Sequence, residues 1–107
     1  MSQPRFGVTL DLHLYVRATD AGGRSRPIVD GYRPLCIVGS LDGETVVGLC
    51  ELHLDNPISP GELGVGRLSF DVAVSDTVRA LLRVGSTFDL AEGQTVVAAA
   101  EVQGIGP

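Results

Sequence analysis

The sequence predicts an all-β protein, a six-stranded antiparallel closed β-barrel, on three observations. Apolar and polar residues alternate with period two from Phe6 to Val16 and again from Leu68 to Val74, as half-buried strands require. Turn signals such as Asp42-Gly43 and Glu92-Gly93 separate short apolar runs along the chain, and evenly spaced short strands build barrels and sandwiches. The length, 107 residues, suits a single domain over residues 1–107 with one core and no room for a second.

The first strand is expected over Arg5 to Arg17. Phe6, Val8, Leu10, Leu12, Leu14 and Val16 take one face, and Thr9, Asp11, His13 and Tyr15 take the other. Ala18 to Asp30 is rich in Gly, Arg and Pro and is expected to be an exposed loop, the longest break in the pattern. A second strand follows over Arg33 to Val38, and a third over Glu44 to Leu54. Asp42-Gly43 joins them, because these residues tolerate the positive φ of a tight hairpin turn.

Asn56 to Gly61 contains Pro57 and Pro60, which cannot donate to a central ladder, so it should be a crossing loop. The fourth strand is expected over Arg67 to Val74, with Leu68, Phe70, Val72 and Val74 inward. Ser75 then offers an N-cap, and Val78, Leu81 and Leu82 have helical spacing, so one or two helical turns are expected over Ser75 to Leu82. Thr87 to Leu90 and Thr95 to Val102 close the domain as a hairpin. Ala98, Ala99 and Ala100 suit the crowding of a barrel interior or close packing against another layer.

Composition narrows the function. The formal charge is −5, which repels polyanions and argues against general coating of nucleic acid. All eight basic residues are Arg, a usage that a GC-rich coding bias explains as well as a demand for anion forks. No apolar run reaches the ~18 residues of a membrane span. The segment from Met1 carries Arg5 and Asp11 and no long apolar stretch, so no secretory leader is expected and the expected location is cytoplasmic. In that setting Cys36 and Cys50, both within apolar runs, are read as small buried hydrophobes.

Catalytic patterns are missing. The chain has no Gly-x-x-x-x-Gly-Lys phosphate loop and no Lys, so neither GTP binding nor GTP hydrolysis is expected. No nucleophile elbow surrounds any Ser, and nothing places Cys36 beside a His base. His13 and His53 recur in similar settings, Asp11-Leu12-His13 and Glu51-Leu52-His53. Were their strands neighbours, four metal ligands would converge; two-residue spacing on strands is commonplace, however, and no metal or cofactor is expected.

The most specific motifs are Gly22-Gly23-Arg24-Ser25-Arg26-Pro27 and Gly31-Tyr32-Arg33-Pro34, followed by Pro60-Gly61-Glu62 and by Glu92-Gly93-Gln94-Thr95-Val96. In order and spacing, from about Phe6 to Val102, they resemble the third domain of elongation factor Tu. That resemblance implies a non-catalytic β-barrel that meets tRNA and protein partners, here detached from its GTPase and from the domain that holds the aminoacyl end of tRNA. The partner-binding candidates it implies are Arg24, Arg26, Arg33 and Gln94. Gln94 stands where the family usually has Arg, and Arg26 where it usually has Thr.

The first function expected is therefore a protein-protein interaction or decoy module linked to translation. An RNA-binding translation accessory, and a small barrel of unrelated function sharing only the fold, are the alternatives. Self-association is open as well, since the family's barrel packs against other domains and a detached copy must leave that surface wet or cover it. Arg24 and Arg26 are expected to be exposed and dispensable for folding, whereas Arg33, between Tyr32 and Pro34, is expected to brace the loop.

Overall fold

The computed structural model describes residues 6–106, so the expected strand start at Arg5 lies outside the described residues and the expected inward side chain of Phe6 outside the described side chains. The chain forms a closed antiparallel barrel of six strands in the order β1-β4-β3-β2-β5-β6. They are β1 (Phe6–Val16), β2 (Leu35–Leu41), β3 (Glu44–His53), β4 (Leu63–Asp71), β5 (Thr87–Glu92) and β6 (Thr95–Gly106), with a short helix α1 (Ser75–Leu81) between β4 and β5.

The alternation sets the register. Val8, Leu10, Leu12, Leu14 and Val16 are buried, and Asp11, His13 and Tyr15 between them are exposed. On β6, Ala98 and Ala100 lie in the core while Ala99 faces out. The β2–β3 turn is built as expected, with Asp42 at φ 53° and Gly43 at φ 81°.

The two ends of the barrel are plugged differently. At one end stand Val78 of α1 and Leu82, which follows the helix, both buried. Ser75 locks it there: its hydroxyl accepts from the Val8 N–H at 2.9 Å and donates to the Asp71 carbonyl at 3.1 Å. At the other end Ile28 and Ile58 come from separate loops, and each N–H donates to the other's carbonyl, at 2.9 and 3.0 Å. Both side chains are buried. A Cβ on Gly64 would stand 2.4 Å from Ile58 Cδ1, so the glycine in β4 makes room for this plug.

Three expectations change. The fourth strand begins earlier and ends at Asp71; Val72–Val74 is a 3₁₀ turn started by the Asp71 carboxylate, which accepts from the Ala73 N–H at 2.8 Å. Val72 is consequently 53% exposed rather than inward. The segment from Ala18 to Asp30 is not wholly an exposed loop, because Ile28 anchors it in the core.

The third change concerns the cysteines. Cys36 and Cys50 are joined by a disulfide across β2 and β3, with Cα atoms 6.8 Å apart. A bulge makes this possible. Near the turn, Gly39 pairs with Val46 and Leu41 with Glu44, but beyond the bulge Ile37 pairs with Val47 and Cys36 with Gly48. Without that one-residue shift Cys36 would oppose Leu49, and Cys50 would lie on the other face of the sheet.

Candidate binding surface

Of the residues expected to bind a partner, Arg24 and Gln94 come to one corner of the barrel. The loop from Gly22 to Pro34 crosses the barrel end and reaches the β5–β6 hairpin, where Glu92 closes β5 opposite Thr95. Arg24 Nη1 lies 2.9 Å from Glu92 Oε1. The Tyr32 hydroxyl donates to the same oxygen at 2.5 Å, and the Arg24 guanidinium stacks on the Tyr32 ring, 4.7 Å from its centroid. Arg24 thus straps the loop to the hairpin whose turn carries Gln94, and its side chain is only 21% exposed.

The environment of Tyr32 follows from this packing. Partial burial pushes its hydroxyl up to about 12, with the hydrogen bond to Glu92 adding to the rise and Arg24 opposing it. The loop is fixed further by its backbone. Gly31 N–H donates to the Leu52 carbonyl and Leu52 N–H to the Tyr32 carbonyl, both at 2.8 Å, and Asp30 accepts from the Leu54 N–H at 2.9 Å.

Arg33 and Arg26 differ from Arg24. Arg33 faces Glu51 on β3 at 3.6 Å with 69% of its side chain exposed, a geometry worth about 0–1 kcal/mol. Arg26 is exposed and has no hydrogen bond or ion pair among the described residues, and the same is true of Gln94. The expected roles are therefore exchanged: Arg24 braces the loop, and Arg33 is the more exposed side chain. The signal available in sequence was Tyr32, an aromatic partner for a nearby guanidinium. Glu92, 60 residues away from Tyr32, carried no such signal.

A second concavity lies outside β4. It is a groove of about 710 Å³ lined by Asp11, His13, Asp30, His53, Asp55 and Arg67 among others. β4 runs between β1 and β3, so the two histidine strands are not neighbours. Arg67 is cross-strand from both Asp11 and His53, whereas His13 faces Val65 and Glu51 faces Ser69. Arg67 Nε donates to Asp11 at 3.2 Å, and His53 Nδ1 is 4.0 Å from Asp30. Among the described residues no three His, Cys, Asp or Glu side chains are grouped to hold a metal ion.

No helix among the described residues is long and apolar enough to cross a membrane. In comparison with known proteins, no protein-family model matches the chain and no curated protein is similar to it.

Proposed function

We propose that this chain is a non-catalytic binding module, linked to translation by its resemblance to the third domain of elongation factor Tu, and that it presents the loop–hairpin corner to a protein partner. The observation that supports this most is the division of labour at the corner. Arg24, Tyr32 and Glu92 satisfy one another, which fixes the loop without using Arg26 or Gln94. Two exposed side chains with hydrogen-bonding ends are thereby held on a rigid base, and preorganisation of this kind lowers the ordering cost of association. The acidic charge of the chain favours a protein over RNA as the partner, since a polynucleotide must approach against net repulsion.

Affinity capture from a lysate of the source organism, run in parallel with wild type and an Arg26→Ala/Gln94→Ala variant, tests the reading. The variant should keep its unfolding free energy within about 0.5 kcal/mol and bind the partner about thirtyfold less tightly, on the order of 1 kcal/mol for each of the two anchors. Equal recovery by both would remove the corner from the interface. Purified tRNA, titrated in the same buffer, separates the accessory reading: saturable binding that steepens as salt falls would favour RNA.

A further inference from the structure

β2 and β3 pair along their common length, but the rest of the barrel leaves them early. β5 joins β2 only from Leu35 to Ile37, and β4 joins β3 only from Cys50 to His53. Residues 38–49 therefore form a two-stranded arm whose edges have no strand partner among the described residues. Its inner face is covered, with Val46, Val74 and Leu81 packed on the core. Its outer face carries Val47 and Leu49, opposite Ile37 and Leu35 at the root of the arm, and Leu49 is 71% and Val47 48% exposed.

The two edges are not equivalent. The β2 edge carries the bulge between Ile37 and Gly39, a device that blunts an edge against pairing. From Glu44 to Leu49 the β3 edge has no Pro, no basic residue and a single charge, at the turn end. An unpaired edge with few charges and no Pro is a template for an added strand. Acidic residues flank this edge: Asp42 and Glu44 stand at its tip, and Asp71 follows Phe70, the partner of Cys50. None of these three carboxylates is in an ion pair among the described residues, and the nearby Arg33 is taken up by Glu51.

We infer that the β3 edge accepts an extended peptide strand in which apolar residues alternate with Lys or Arg. Main-chain hydrogen bonds to β3 supply the attachment, the apolar residues cover Val47 and Leu49, and the basic ones meet the acidic rim. A second copy of this chain fits less well, since it would bring two acidic rims together. This surface is separate from the loop–hairpin corner and does not depend on it.

The test is a fluorescently labelled peptide alternating valine and lysine, titrated against the full chain by anisotropy, with two versions N-methylated on the two alternate sets of residues. Methylation on the docking edge should weaken binding about tenfold or more, because it removes the donors the added strand uses, while methylation on the far edge should leave binding within about twofold. Val47→Lys/Leu49→Lys, both exposed changes, should also weaken it about tenfold through like charge and lost apolar contact. If the variant does not fold by circular dichroism, the methylated peptides decide alone. Equal affinity for both methylated forms, or absence of saturable binding, would overturn the inference. So would a wild-type dimer by sedimentation that the Lys variant abolishes, which would assign the edge to a second copy.

Discussion

The loop–hairpin corner and the β2–β3 arm both leave the barrel wall, yet they are secured in opposite ways. At the corner, long-range order comes from polar side chains and a single deep anchor: Arg24, Tyr32 and Glu92 above, Ile28 below. The arm is held at its root by a covalent bond, Cys36–Cys50, and beyond the root by its own hairpin and one packed face. A polar strap fixes geometry only while all its members are present, whereas a cross-link keeps the strands together even as local packing fluctuates. The corner accordingly suits the display of fixed side chains, and the arm suits the acceptance of a strand along an open edge.

The largest effect expected is from the disulfide. It closes a loop with a sequence separation of 14 residues, for which chain entropy gives about 3 kcal/mol. Protein denatured and refolded in reductant should therefore melt at least ~10 °C lower, because 1 kcal/mol moves a domain of this size by several degrees. The freed thiols remain small apolar groups in the core, so lost packing contributes little. Hydrogen exchange should rise more in residues 35–49 than at the corner. If free-thiol labelling confirmed reduction and the melting temperature stayed put, the cross-link would have no hold on the arm. A stable disulfide is also more at home in an oxidising compartment than in the reducing cytoplasm expected from the sequence.

Arg24 comes next. Arg24→Ala removes an ion pair whose Arg24 side is largely covered and whose Glu92 side is half-exposed, together with a cation–π contact, and should destabilise the protein by about 1–2 kcal/mol. Arg24→Lys should recover only part of this, because an ammonium neither stacks as a plane nor forks onto the carboxylate. Arg26→Ala in the same denaturant series should cost less than about 0.5 kcal/mol. Equal midpoints for the Arg24 and Arg26 variants would mean that the strap is absent in solution and that the corner is no better fixed than an ordinary loop.

What could be read in advance follows from the range over which each signal acts. Strand periodicity is local, so the inward rows of β1 and the helical turns after Ser75 were legible, as was the Asp42-Gly43 hairpin. The end of the fourth strand was not, because Val72 and Val74 continue the alternation and only the Asp71 side chain, bonded to Ala73 N–H, turns the chain. The disulfide was hidden by one residue. A hairpin counted from its turn puts Cys36 and Cys50 on opposite faces, and the bulge that reunites them has no strong local mark. The corner was legible in part: the loop motif marked its position, but the exchange of roles between Arg24 and Arg33 depends on Glu92 and Glu51, which only the folded barrel brings near.

The smallest effect expected near neutral pH, and the sharpest probe of the corner, is the titration of Tyr32. Its hydroxyl is raised from 10.0 to about 12, first by burial and then by the hydrogen bond to Glu92. The folded state therefore holds a proton that the unfolded chain releases. Between about pH 10 and 12 the unfolded state binds fewer protons, so this contribution to stability is fully present below pH 10 and is lost as pH rises through the window. Tyr32→Phe keeps the ring beneath Arg24 and removes the hydroxyl, so its stability should lack this decline. The chain has two tyrosines, and the difference between the phenolate absorbance curves of wild type and Tyr32→Phe isolates Tyr32. A midpoint near 12 is expected; a midpoint near 10 would show the hydroxyl open to water, and the strap that separates the corner from the arm would have to be given up.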